Sequence, residues 1–160
     1  MPRFVSKQVF MEPSKEILYS SWLLIDQPRI DQFAAATNDF QFIHTDPVKA
    51  AATPLGTTIA HGFLTLSLIS HLTEELFILP PLVKMVYNYG LDNVRFLTPV
   101  KVNSQVRAAV QVCSVTEKRC AEYRVQSKIT IEIDGEQKPA LVAESLAMVF
   151  THEGENDDSL

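Results

Sequence analysis

A change of period at Pro80-Pro81 constrains this chain more than any other feature. From Thr58 to Phe77 the apolar residues Ile59, Phe63, Leu64, Leu66, Leu68, Ile69, Leu72 and Leu76 cover nearly every face of a helix. A helix that is apolar all round must be surrounded by protein. The two prolines end it, because a proline ring breaks the helical hydrogen-bond ladder. Beyond them the period is two. Val106, Ala108, Val110 and Val112 alternate with Gln105, Arg107, Ala109 and Gln111. Tyr123, Val125, Ser127, Ile129, Ile131 and Ile133 form a second run, and Val142, Glu144, Leu146, Met148 and Phe150 a third. Asp134-Gly135 reads as a hairpin turn. Strands this long twist and curve. Sheet and helix together predict an α+β domain in which the sheet wraps the helix.

Upstream, a strand is expected within Ile17–Ile25, after about fifteen irregular residues. Asp26 and Pro28 mark a helix start, and Ile30, Phe33, Ala34 and Thr37 give it one apolar face before it stops near Asn38-Asp39. A short helix opens at Asp46-Pro47, capped by the aspartate and fixed by the proline, and ends by Ala52. A single domain over residues 1–153 and a polar, acidic, frayed tail over 154–160 are the expected organisation.

Charge narrows the partners. Fourteen basic and nineteen acidic residues give a net charge of -5, which argues against a nucleic-acid surface. The apolar stretch from Thr57 to Val83 carries His61, His71, Glu74, Glu75 and two prolines, which are costly in lipid, so no membrane partner is expected. Cys113 and Cys120 lack metal-ligand spacing and read as reduced, partly buried thiols of a cytoplasmic protein. The N-terminus has no apolar run of signal-peptide length.

Chemistry concentrates in two segments. In Asn38-Asp39-Phe40-Gln41-Phe42-Ile43-His44-Thr45-Asp46-Pro47, Asp39 and His44 are five apart. On a continuous helix they would diverge by about 140°. The break announced by Asp46-Pro47 lets them converge on a link between helices. A carboxylate beside an imidazole is a workable acid/base unit, although such residues also serve as local hydrogen-bonding groups at helix ends. In Gly56-Thr57-Thr58-Ile59-Ala60-His61-Gly62-Phe63, Gly62 either exposes first-turn N–H groups to a developing oxyanion or relieves close packing against a strand. His61 reads by itself as a satisfied core histidine. The segment Asn88-Tyr89-Gly90-Leu91-Asp92-Asn93-Val94-Arg95-Phe96-Leu97-Thr98-Pro99-Val100 reads as a strand ending at a proline.

Together these segments resemble the MaoC-like dehydratases, which include the (R)-specific enoyl-CoA hydratases. The branch most similar is that of nodulation protein N. Asp39 and His44 fall on the family's catalytic pair, Asp46 on its trailing acid, and Ala60-His61-Gly62 on the start of its central helix. Asn38 stands where the family has Gly, and Gln41-Phe42 where it has Asn-Pro. The resemblance implies a hot-dog fold, a homodimer or higher homo-oligomer, and a substrate tunnel built partly at the interface. It implies hydration of a trans-2-enoyl thioester to an (R)-3-hydroxyacyl thioester, or the reverse. It also implies Asp39, His44 and the Gly62 N–H as catalytic groups, and Gln41, Phe42, His61 and Asn88 as substrate-binding residues. No metal or cofactor is called for; CoA or an acyl-carrier arm arrives with the substrate. The alternatives are a non-catalytic or weakly active acyl-CoA binder and a hot-dog thioesterase. The second is disfavoured because the central helix offers no carboxylate before Glu74.

Overall fold

In the computed structural model, which describes residues 2–152, the helix-to-strand change comes ahead of the prolines: the central helix ends at Thr73 and a first short strand, Ile78–Leu79, precedes Pro80. The strands are β1 (Arg3–Phe4), β2 (Leu18–Tyr19), β3 (Leu23–Ile25), β4 (Ile78–Leu79), β5 (Val83–Phe96), β6 (Ser104–Arg119), β7 (Glu122–Ile133) and β8 (Leu141–Thr151). The helices are α1 (Lys7–Met11), α2 (Gln27–Thr37), α3 (Phe42–Thr45), α4 (Pro47–Ala51) and α5 (Gly62–Thr73).

One antiparallel sheet runs in the order β2-β6-β7-β8-β5, with β3 also on β6. Register shifts between β5 and β8 at Val83/Met85, Asn88/Gly90 and Asp92/Arg95 add bulges, which bend a strand. The curved inner face wraps α5. Leu64, Leu68, Ile69 and Leu72 pack on Val106, Ala108, Ile129, Ile131, Leu141 and Ala143, all buried. This is the hot-dog arrangement, α+β as expected.

Several expectations change in detail. The central helix starts at Gly62, not Thr58, and a 3-10 turn over Glu74–Leu76 follows it. Thr58–Ala60 is extended because pairing wins over helix propensity there: Ala60 N–H donates to Val100 O at 2.8 Å and Val102 N–H to Thr58 O at 3.0 Å. The expected strand from Ile17 to Ile25 is two short ones, β2 and β3. The first fifteen residues are not all irregular, since α1 buries Phe10 against Tyr123 with ring centroids 5.5 Å apart.

The third alternating run points the other way. Leu141, Ala143, Ala147 and Val149 face inward, whereas of the even-numbered residues only Met148 is buried. Both parities of β8 are apolar, so its phase was ambiguous. Cys113 and Cys120 are exposed rather than partly buried, because they lie on the outlying β6–β7 hairpin. The expected tail, 154–160, and the domain end at 153 lie outside the described residues.

Candidate active site

The site is assembled by three local stops in the chain. First, α2 ends on Asn38 in the left-handed conformation (φ 58°), which asparagine tolerates better than most residues. Asp39 N–H still closes onto Ala34 O at 3.1 Å, and the chain then turns away. Second, the link holds one more helical turn than expected. In α3, His44 N–H donates to Gln41 O at 2.9 Å and Asp46 N–H to Phe42 O at 3.0 Å. Third, the Asp46 carboxylate accepts from Lys49 N–H at 3.0 Å and starts α4 afresh. Helix, turn and helix therefore replace one continuous cylinder, and His44 turns inward.

The extended strap Thr58–Ala60 receives it. Ile59 N–H donates to Ile43 O at 3.0 Å. His44 Nδ1–H donates to Ile59 O at 2.7 Å; a carbonyl can only accept, so this partner assigns the tautomer. Nε2 is left with its lone pair. Gln27 braces the assembly: its Nε2 donates to His44 O at 2.8 Å, and its Oε1 accepts from Thr58 Oγ1 at 2.6 Å. Sequence reasoning missed Gln27, although it shares the face of α2 that buries Ile30 and Ala34, where a polar side chain needs an inward partner.

His61, the N-cap residue of α5, lies behind the pair. Its ring stacks on that of His44 at 3.8 Å and 25°. Its Nε2–H donates to Asp39 O at 3.0 Å. An Asp39 carboxylate oxygen and one ring nitrogen each of His44 and His61 lie within 4.8 Å of one another. Asp39 and His44 therefore do converge. The Asp39 side chain is 53% exposed in the single chain, while that of His61 is 3% exposed. Burial pushes the His44 imidazole below its ordinary value. The Ile59 carbonyl and the Asp39 carboxylate oppose that shift, and the charge of His61 reinforces it. The three residues have the composition of a two-histidine, one-carboxylate metal set. Stacked rings, however, send their in-plane lone pairs side by side rather than to one point, so the arrangement fits a tetrahedral ion poorly.

Next to His44 is Gly62, whose first-turn N–H has no intrahelical acceptor. A β-carbon there would come within 3.2 Å of the Phe96 ring, so packing against β5 by itself explains the glycine. His44, Gly62, Thr65 and Phe96 line a cleft of about 320 Å³. Asp39 and His61 are not in its wall; neither are Gln41 or Phe42, which sit at the start of α3. Asn88 is elsewhere. It donates to Ser70 Oγ at 3.0 Å and lines a second, more enclosed cavity of about 130 Å³. That chamber lies between the inner sheet face, the far half of α5 and the N-terminal segment.

The sequence pattern of the MaoC like domain matches residues 9–133, from within α1 to the end of β7. The chain belongs to the MaoC-like family. It is 45% identical over 127 residues to 3-hydroxyacyl-thioester dehydratase Z of Mycobacterium tuberculosis, covering 79% of this chain and 83% of that protein. It is 45% identical over 140 residues to nodulation protein N of Rhizobium leguminosarum bv. viciae, covering 84% of each. The solved (R)-hydratase of Aeromonas caviae, involved in PHA biosynthesis, superposes with a TM-score of 0.69 at 26% identity, over 83% of this chain and 93% of that one. In this MaoC-like chain no helix among the described residues is long and apolar enough to cross a membrane.

Proposed function

We propose that this MaoC-like protein adds water across the double bond of a trans-2-enoyl thioester to give an (R)-3-hydroxyacyl thioester, or runs the reverse dehydration. The carrying observation is the convergence of the Asp39 carboxylate with a ring nitrogen of His44, whose Nε2 is unprotonated, beside the first-turn N–H of Gly62. The names of the dehydratase and hydratase relatives support the reaction class, and that of the Aeromonas caviae enzyme supports the (R) product.

His44 Nε2 takes a proton from water while the water oxygen bonds to C3. The carboxylate of Asp39 accepts the other O–H and orients the molecule. Electrons move to the thioester oxygen, where the Gly62 N–H donates; one such donor is worth about 3 kcal/mol of barrier. The proton taken from water is then returned to C2, so the pair ends each cycle as it began. Only substrate and water are consumed.

The chamber supplies room for the acyl chain. Gly62 and Thr65 line the cleft; Ile69, Thr73 and Leu76 line the chamber. Spacings of three, four and four put the first four on one stripe of α5, and Leu76 follows in the 3-10 turn. Gly62 to Thr73 spans about 16 Å at the helical rise. A zigzag chain advancing roughly 1.3 Å per carbon, set by C–C bonds near 1.5 Å, needs about twelve carbons to reach that far. Medium to long acyl chains are the fitting substrates, on CoA or an acyl-carrier arm.

A homodimer fits the surface. Asp39 is half open, the rim carries exposed Phe40, Phe63 and Leu97, and β5 lies at the edge of the sheet with exposed Met85, Tyr87, Tyr89 and Leu91. Such an edge is a template for another strand.

The test is loss of the conjugated enoyl-thioester absorbance across chain lengths, with chiral analysis of the product. Asp39→Asn and His44→Ala, folded like the wild type, should each lose about 10²- to 10⁴-fold in kcat. No turnover by the wild type, with binding of enoyl-CoA retained, would sink the hydratase reading in favour of a binder. Release of free CoA would instead point to a thioesterase.

A further inference from the structure

His61 does not face the cleft, yet it touches every part of the machinery. Its ring covers one face of His44, its Nε2–H holds the main-chain carbonyl of Asp39, and its own backbone leads directly into Gly62. Its Nδ1 is buried with no hydrogen-bond partner among the described residues. An unpartnered buried polar atom costs about 1–3 kcal/mol. An apolar ring would fill the same space beside Phe33, whose centroid is 5.1 Å away, without that cost. As packing alone, the histidine is a poor choice. The position does need a planar ring that can also donate.

We propose that His61 is a positioning residue that locks the His44 ring and the Asp39 backbone into one rigid unit, and so sets the acid/base behaviour of the pair. The inference rests on the hydratase reading for its kinetic consequences but not for its structural ones. Without the stack, His44 can swing about its single hydrogen bond to Ile59 O. Without the donor, Asp39 sits on a turn tied at its N–H but free at its carbonyl. The titratable groups acting on His44 are Asp39 and His61. From α2 the facing group is the Phe33 ring, from the strap the Ile59 carbonyl, and at the mouth of the cleft Phe96 of β5.

Two variants separate the two contacts. His61→Phe keeps a ring to stack and loses the donor; His61→Gln keeps a donor near Nε2 and loses the stack. Both are measured for kcat, KM and the pH dependence of kcat, and the His44 ring is titrated by NMR in each. A displacement of catalytic groups by about 1 Å costs on the order of 100-fold. The expected result is a 10- to 100-fold fall in kcat for each variant, with KM within about threefold of wild type. In each variant one of the two contacts that fix the pair is gone, so the His44 titration and the acid limb of kcat shift together. Unchanged kcat and an unchanged His44 titration in both variants would overturn the proposal. So would a loss carried by KM, which would make His61 a substrate contact. The NMR titration needs no turnover, so a failed hydratase reading stays distinguishable from a failed role for His61.

Discussion

At its N-terminal end α5 meets Asp39, His44 and His61; at Thr73, about 16 Å along the same stripe, it meets a chamber walled by Phe10, Val110, Val125 and Val149. The near end is held by directional bonds. Gln27 ties α2 to His44 and Thr58, the strap is pinned to Ile43 and Val100, and the imidazole is fixed at both ring and backbone. The far end is held by apolar burial, with Phe10, Leu79, Tyr123 and Val149 forming a cluster of their own apart from the main core. Hydrogen bonds fix angles, which proton transfer requires, whereas burial is non-directional and leaves room for chains of different length. The comparison implies that each end can be altered without the other.

The largest test removes the far wall. Phe10→Ala deletes the ring that seats α1 on Tyr123. Buried Phe→Ala changes cost about 3 kcal/mol or more, and this site should fall at the low end because its helix is short and near the terminus. Denaturant unfolding should show the loss, while turnover of a four-carbon enoyl thioester below the transition stays within about twofold of wild type. An equal collapse of short-chain turnover would break the separation of the two ends.

Filling the chamber is the next largest effect. Thr73 is buried and lines it. In Thr73→Phe the new ring occupies space that the last carbons of a long chain would take. Excluding four methylenes at about 0.8 kcal/mol each lowers kcat/KM for the longest substrates by on the order of 100-fold. Short chains end before Thr73 and should be turned over unchanged. A uniform loss across chain lengths would mean that the chamber is not the acyl path.

The near end was far more legible in the sequence than the far end, for a physical reason. Asp39, His44, His61 and Gly62 lie within one short stretch, so local signals decide where they go: the Asn38 stop, the Asp46-Pro47 start and the glycine. What remained hidden there was contact across chain distance, such as Gln27 meeting Thr58, and the single turn of α3. The chamber draws on residues from Arg3 to Val149, and no local pattern joins them. Asn88 illustrates the difference. A strand was expected there, and β5 runs from Val83 to Phe96, yet it delivers Asn88 to Ser70 and the chamber rather than to His44. The phase of β8 failed for the same reason: with apolar residues at both parities, only the register against β7 chooses the inner face.

The smallest effect is in pH. Burial lowers the His44 imidazole below its ordinary value near 6.5, so the base form persists to more acidic solution than a free histidine would allow. The acid limb of kcat/KM is therefore expected below that value. Stability carries the same sign. The folded state binds fewer protons at His44 than the unfolded state does, so this contribution is complete above about pH 6.5. It is lost as pH falls from there through the folded-state value. At neutral pH neither effect changes activity, which makes this the least conspicuous prediction and the most specific one. The limb reports the environment of a single ring, held by Ile59, His61 and Asp39, and none of those contacts reaches the chamber. Phe10→Ala and Thr73→Phe should leave the limb where the wild type has it. A shift in either variant, measured on a short substrate that avoids the chamber, would mean that packing at the far end of α5 sets the position of His44 after all.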